Sequence, residues 1–125
     1  MIPALKIPNL TIGILSAIVD DAAKFCPHVV AVGLVGSFAR GGQVHSSDVD
    51  LILKVDCPDN FRKALENFGE HVRHVLDYQF NKRLDIVRYE LVAERAGRDP
   101  HSNEMWFCRE GFKKMLAEVK WLYER

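Results

Sequence analysis

The chain has 125 residues, enough for one domain with a hydrophobic core (residues 1–125) and too few for two ordinary domains. Hydrophobic residues make up 48% and charged residues 27% of it, a composition that is typical of a folded globular domain and argues against disorder. Its 17 basic residues balance its 17 acidic residues, and this neutrality argues against a long nucleic acid as the substrate, because proteins that bind one usually carry a basic excess.

The first predicted elements are a helix and a buried strand. Apolar residues recur at helical spacing through residues 10–25, with Asn9 or Thr11 available as the N-terminal cap and Pro27 ending the run. Residues 29–35 are almost all apolar and β-branched, which indicates a strand that is buried on both faces.

The central part of the chain predicts a second strand followed by a second helix. After a short helix at residues 38–41 and a loop at residues 42–47, residues 48–55 have the pattern of a strand. Pro58 and Asp59 then open a helix. Its expected apolar face has Phe61, Leu65, Phe68, Val72 and Val75, with Gly69 as a weak point.

The region that follows allows two interpretations. The second helix can continue, or residues 72–80 and 83–89 can form a hairpin that turns at Asn81 and Lys82. Residues 84–89 are predicted to be a strand in both cases. Residues 96–104 then have the composition of a polar loop.

The last predicted element is a closing helix. Its apolar positions are Phe112, Met115, Leu116, Val119 and Leu122. The aromatic residues of this region, Trp106, Phe107, Trp121 and Tyr123, are interpreted as packing of that helix on the sheet, with a partner-binding patch as the alternative. The fold class expected from this order of elements is α/β (α+β), a small mixed β-sheet with helices packed on it.

The strongest chemical signal is a Gly-Ser turn followed by two closely spaced acids. Gly36 and Ser37 end the first strand, and Asp48 and Asp50 lie in the second, where alternate residues share one face. Two neighbouring carboxylates repel each other unless a cation lies between them, and oxygen ligands suit Mg²⁺. The turn after Gly36 offers backbone N–H groups that suit a phosphate. A tight turn beside a solvated strand edge is the non-functional alternative.

These motifs resemble a known family. The residues from Gly36 to Gly41, read as Gly-Ser-Phe-Ala-Arg-Gly, and Ser47-Asp48-Val49-Asp50-Leu51 are similar to the signature of the polymerase-beta-like nucleotidyltransferase superfamily, and most similar to its minimal nucleotidyltransferases. That family uses a third carboxylate on a later strand, and Asp85 within Leu-Asp-Ile-Val fits this position. The resemblance extends from the first helix to about residue 89, and it implies a nucleotidyltransferase fold.

The resemblance also implies a mechanism. The chain would transfer a nucleoside monophosphate to a hydroxyl acceptor, with ATP as the expected donor and another NTP as the alternative. Asp48 and Asp50 would hold two Mg²⁺ ions, and Asp85 would complete the metal on the nucleophile side and help to take the hydroxyl proton. Gly36, Ser37, Arg40 and Ser47 would contact the nucleotide or orient the acids.

Each of these assignments has a simpler alternative. Asp85 alone suits an exposed position on an edge strand, Ser37 suits a helix cap, and Arg40 suits a solvated surface. For the chain as a whole, the alternative is a catalytically inactive module that binds a nucleotide or a partner. His71 and His74 are three residues apart on the predicted helix, but surface positions are favoured because no further metal ligands lie nearby in the sequence.

Partners and location are expected from the same features. Minimal nucleotidyltransferases resemble the antitoxins of toxin–antitoxin pairs, which implies a helical HEPN-type partner protein as the acceptor. A homodimer is left open. Cys26, Cys57 and Cys108 have no metal-binding spacing, so free thiols in a reducing cytoplasm are expected. No secretory leader pattern and no membrane-spanning apolar run occurs in the sequence.

Overall fold

The structure is a computed structural model that describes residues 9–36, 48–96 and 113–125. In chain order, the described elements are α1 (Ile12–Lys24), β1 (Val29–Val35), β2 (Val49–Val55), a 3₁₀ turn (Pro58–Asn60), α2 (Phe61–Ala64, a π-helical turn at Leu65–Gly69, and Glu70–Phe80), β3 (Leu84–Arg88), α3 (Tyr89–Ala96), α4 (residues 113–118) and β4 (Lys120–Glu124). Among these residues, no helix has the length and apolar character needed to span a membrane.

The four strands form one mixed sheet in the order β3-β2-β1-β4. β1 is antiparallel to both β2 and β4, whereas β3 is parallel to β2. A parallel pair needs a crossover connection, and α2 supplies it. The predicted class, a small mixed sheet with helices packed on it, is therefore confirmed.

Helices α1 and α2 cover one face of the sheet. Thr11 caps α1 by accepting a hydrogen bond from the N–H of Ile14 at 3.1 Å, and Leu15 and Val19 of this helix are fully buried. The hydroxyl of Ser16 donates to the carbonyl of Leu122 in β4 at 3.4 Å. The first predicted helix is confirmed, and it packs on the β4 side of the sheet.

Helix α2 settles the alternative between a helix and a hairpin at residues 72–80. Val72, Leu76 and Phe80 are buried on one side of this helix. In a strand, His74 and Tyr78 would share the face of these three residues, but both are exposed. The hairpin interpretation is wrong. The predicted weak point at Gly69 lies in the π-helical turn, where a Cβ atom would lie 3.0 Å from Cδ1 of Ile86, so this turn packs closely on β3.

The opposite face of the sheet carries a smaller core. Val35, Ile52 and Val92 are buried there, and side chains of α4, including Met115, pack against them. Val92 belongs to α3, a helix that the sequence analysis did not predict. The predicted strand at residues 84–89 ends one residue early, because Tyr89 begins α3.

The prediction of one closing helix is wrong in its second half. Helix α4 ends at residue 118, and β4 pairs with the edge of β1. Gly33 of β1 explains this change, because it leaves room for Val119 and Trp121, whose side chains would collide with a Cβ atom there. A strand at this position satisfies backbone groups of β1 that a helix would leave unpaired.

Several predicted features lie outside the described residues. They are the short helix at residues 38–41, the loop at residues 42–47, the polar loop beyond Ala96, and the side chains of Trp106, Phe107, Cys108 and Phe112. Of the aromatic residues that are described, Tyr123 packs against the main core and Trp121 contacts Tyr89 at 6.0 Å between ring centroids. Both residues belong to β4. The prediction that they pack a helix onto the sheet is therefore wrong for these two, because they are part of the sheet itself.

Candidate active site

Strands β2 and β3 bring the three predicted acids to one place. Asp50 of β2 is directly opposite Asp85 of β3 in the parallel register. Asp48 precedes β2 by one residue and therefore lies on the same face as Asp50. The alternating residues Val49 and Leu51 are fully buried on the other face, under α1 and α2. Because Val49 and Leu51 are buried, Asp48 and Asp50 must lie on the opposite face of the sheet.

The three carboxylates interact electrostatically. Partial burial raises the pKa of the Asp50 carboxyl above its ordinary value of 3.8, and the negative charges of Asp85 and Asp48 raise it further. Asp50 is half-buried, whereas Asp48 and Asp85 are exposed. Asp50 is thus the central acid of the group, and the folded protein disfavours its charged form.

The donor chemistry of this group suits a divalent cation. Within residues 9–36, 48–96 and 113–125, no Lys, Arg or His forms an ion pair with Asp48, Asp50 or Asp85. The same part of the chain has no set of three His, Cys, Asp or Glu side chains arranged to hold a metal ion by themselves. Mg²⁺ does not require such a set, because it retains water and takes only one or two carboxylates beside substrate phosphate. The residues therefore fit Mg²⁺ shared with a bound phosphate.

Gly36 forms the neighbouring wall of the site. It follows β1 with a φ of +79°, in the left-handed region that side chains disfavour. A Cβ atom at this position would lie 2.5 Å from Oδ2 of Asp50. A glycine is therefore required here for two reasons, the backbone conformation and the closeness of the Asp50 carboxylate.

The other predicted nucleotide-binding residues, Ser37, Arg40 and Ser47, lie outside the described residues. Their roles stay predictions. His71 and His74 are both exposed, and the ring of His74 stacks on the ring of Tyr78 with 6.3 Å between the ring centroids. Cys26 is buried, Cys57 is exposed, and both are free thiols.

A cleft of about 600 Å³ opens beside two of the acids. Asp48 and Asp85 line it, together with residues from the end of α2 and the connection to β3, namely Arg73, Asp77, Asn81, Lys82, Arg83 and Leu84. Its volume lies within the range that is usual for small-molecule sites. The carboxylates therefore face a space in which a ligand can bind.

The shape of the cleft depends on the end of α2. Asn81 has a φ of +51° and ends the helix, and its N–H donates to the carbonyl of Asp77 at 3.2 Å. The N–H of Val49 donates to the carbonyl of Arg83 at 2.9 Å, which holds the start of β2 against this connection. The sequence analysis gave Arg73, Asp77 and Arg83 no role. The sequence feature that could have indicated a role for Arg83 is its position directly before β3, the strand that carries Asp85.

Comparisons with known proteins agree with this geometry. The family profile described as nucleotidyltransferase domain matches residues 15–109. No curated protein sequence is significantly similar to the chain. A chain of a solved structure, described as a crystal structure of the toxin–antitoxin with AMP-PNP, shares 17% sequence identity and a TM-score of 0.52, over 93% of this chain and 75% of that chain. At this identity the likeness shows a shared fold.

The family match extends the resemblance seen in the sequence. It covers Gly36, Ser37 and all three acids, and it continues beyond β3 to residue 109. Because the matched residues make up most of the chain, the protein belongs to the nucleotidyltransferase domain family.

Proposed function

We propose that the protein is a Mg²⁺-dependent nucleotidyltransferase that moves AMP from ATP to a hydroxyl acceptor. The observation that carries this proposal is the register of Asp50 against Asp85, with Gly36 beside the Asp50 carboxylate. Three acids on one face beside a phosphate-accessible turn are the groups that phosphoryl chemistry needs. A purely structural arrangement would pair these carboxylates with cations, and among the described residues none is paired.

Each residue has a distinct role in this reaction. Asp48, Asp50 and Asp85 would hold Mg²⁺, which would neutralise charge on the triphosphate. Gly36 leaves room for a phosphate beside Asp50, and Ser37 donates a hydrogen bond to it. The acceptor oxygen bonds to the α-phosphorus, the α–β phosphoanhydride bond breaks, and pyrophosphate leaves. Asp85 orients the acceptor hydroxyl and accepts its proton. Arg40 and Ser47 support the phosphates and the acids.

The proposed acceptor is a partner protein, a helical HEPN-type toxin for which this chain is the antitoxin. The fold shared with a chain of the toxin–antitoxin with AMP-PNP supports this context. The exposure of Asp48 and Asp85 supports it too, because a site at the surface can receive a hydroxyl from a second macromolecule.

Thermal melts with ATP and Mg²⁺ test the nucleotide site. We expect Mg²⁺ and ATP together to stabilise the protein much more than either alone, because the metal is shared between carboxylates and phosphates. A ligand at about one hundred times its dissociation constant adds roughly 2.7 kcal/mol to the free energy of unfolding. An equal shift with ATP in the presence of EDTA would contradict a metal-bridged site.

Co-expression with the product of the adjacent gene tests the transfer. Intact mass measurement should show the partner protein with the mass of added AMP when the chain is active. Stabilisation by Mg²⁺ and ATP, without any transfer to the partner or to another acceptor, would instead assign the chain to the alternative class of inactive nucleotide-binding modules.

A further inference from the structure

The carboxylates of Asp48, Asp50 and Asp85 have different neighbours on the β1 side and on the β3 side of the sheet. Gly36 lies at the end of β1 and approaches Asp50 from that side of the sheet. β3 lies on the other side of β2, and the 600 Å³ cleft opens there, beside Asp85 and Asp48. A nucleotide whose phosphates lie at the Gly36 turn therefore leaves the cleft free. The second substrate of the transfer can reach Asp85 from this cleft.

The charges of the cleft indicate what that second substrate carries. Arg73 is already engaged, because its guanidinium binds Glu70 at 2.5 Å. Lys82 is buried and has an interaction partner. Arg83 is exposed, and its guanidinium makes no ion pair or hydrogen bond within the described part of the chain, although Asp48, Asp77 and Asp85 line the same cleft. Arg83 is therefore available to bind an anionic group of a ligand.

We infer that the cleft between the end of α2 and β3 is the acceptor site, and that Arg83 positions the acceptor by binding a carboxylate next to its hydroxyl. The acceptor class is a protein side-chain hydroxyl with an acidic neighbour. This inference rests on the proposed function, since it assigns the second substrate of the same reaction. Arg83 precedes Asp85 by two residues, so an acceptor held by Arg83 has its hydroxyl close to the acids.

The cleft favours a protein acceptor over the end of an RNA chain. RNA would bring several phosphates into the cleft, and each needs a cationic partner or a favourable field. Arg83 is the cleft cation without a partner among the described residues, and Asp77 adds a negative charge to the lining of the same cleft. One carboxylate matches this arrangement, and a chain of phosphates does not. The zero net charge of the whole protein agrees with this assignment.

Peptide binding tests the inference without relying on turnover. The wild-type protein is loaded with Mg²⁺ and α,β-methylene ATP, which cannot release pyrophosphate. Short labelled peptides with one serine or tyrosine, flanked by Glu, Gln or Lys, are then titrated by fluorescence anisotropy. We expect the Glu-flanked peptide to bind best. Arg83→Gln should weaken its binding by roughly tenfold, and Arg83→Lys should restore most of it.

A matched control separates Arg83 from a general loss of positive charge. Arg62 of α2 has a side chain that is 91% exposed and pairs with an exposed Glu66, so Arg62→Gln should leave peptide binding unchanged. Equal binding of all three peptides, unchanged binding in Arg83→Gln, or preferential binding of an oligoribonucleotide with a free 3′ hydroxyl would each overturn the inference. Failure of the proposed function would appear separately, as a wild-type protein that Mg²⁺ and ATP do not stabilise.

Discussion

Replacing Gly36 by alanine tests the turn at which the proposed triphosphate binds. At a φ of +79°, an alanine costs roughly 1–2 kcal/mol of backbone strain. Its Cβ atom would also lie 2.5 Å from Oδ2 of Asp50, about 0.9 Å closer than the 3.4 Å at which ordinary van der Waals contacts begin. The Asp50 carboxylate must therefore move, and with it the position of any bound cation.

Two measurements follow from this reasoning. Urea denaturation of Gly36→Ala should show a free energy of unfolding that is lower by roughly 1–3 kcal/mol, of which about 1–2 kcal/mol is backbone strain and the rest is the displacement of the Asp50 carboxylate. The stabilisation of the folded variant by Mg²⁺ and ATP should be largely lost, and so should transfer activity. The loss of stabilisation by Mg²⁺ and ATP is the more informative result, because backbone strain alone lowers stability without changing ligand binding.

Gly13→Ala is the matched control. Gly13 lies in α1, and among the described side chains a Cβ atom there would meet Oγ1 of Thr11 alone, at an ordinary 3.9 Å. Alanine should stabilise this helix by roughly 0.5–1 kcal/mol and leave nucleotide binding unchanged. A Gly36→Ala variant that keeps wild-type stability and the full shift with Mg²⁺ and ATP would refute the geometry described for this turn.

Three further substitutions examine the acids and the sheet. Asp50→Asn should abolish transfer but raise the free energy of unfolding of the metal-free protein at neutral pH. The folded state raises the pKa of Asp50 above 3.8, so this gain in stability should shrink as the pH falls through the raised pKa and vanish below 3.8. Urea denaturation at a series of pH values would show this dependence. Asp85→Asn should strongly reduce transfer while the thermal shift with Mg²⁺ and ATP is retained, and loss of that shift would place Asp85 at the triphosphate instead. Gly33→Ala should cost roughly 1–3 kcal/mol, since a Cβ atom would lie 2.8 Å from Cγ2 of Ile52 and collide with Val119; an unchanged melting temperature would argue against the pairing of β4.

The central part of the fold could be predicted because its signals are local. β1 is an unbroken apolar run, and the strand predicted at residues 48–55 differs from β2 by one residue. Thr11 caps α1 through a hydrogen bond within its own first turn. In these elements the residues that determine the structure are neighbours in the chain, so their pattern can be recognised without knowledge of the tertiary fold.

The end of the chain was harder to predict because its structure depends on a distant strand. Leu116, Val119 and Leu122 are spaced as in a helix, yet the chain changes to β4 after α4. The edge of β1 decides this, and Gly33 provides the space that Val119 and Trp121 fill. Such long-range pairing overrides a local apolar period.

The candidate site divides in the same way. Asp48, Asp50 and Gly36 were predicted from their spacing, and Asp85 from the resemblance to a family. The cleft residues Arg73, Asp77 and Arg83 have no distinctive spacing in the sequence. They meet only because α2 ends at Asn81 and returns the chain to β3 beside β2, which a pattern of residues in the sequence does not reveal.

The register of β3 links the stability of the fold to the assembly of the site. Leu84 and Ile86 pack into the main core, and Ile86 lies against the π-helical turn at Gly69, so the alternate residue Asp85 must face the acids of β2. A slip of one residue would bury Asp85 in the apolar core and expose Ile86. The free energy that holds Ile86 in place therefore also opposes the electrostatic repulsion between Asp85 and Asp50. Apolar packing on one face of the sheet thus keeps three mutually repelling carboxylates together on the other, where the proposed cation and phosphate would bind.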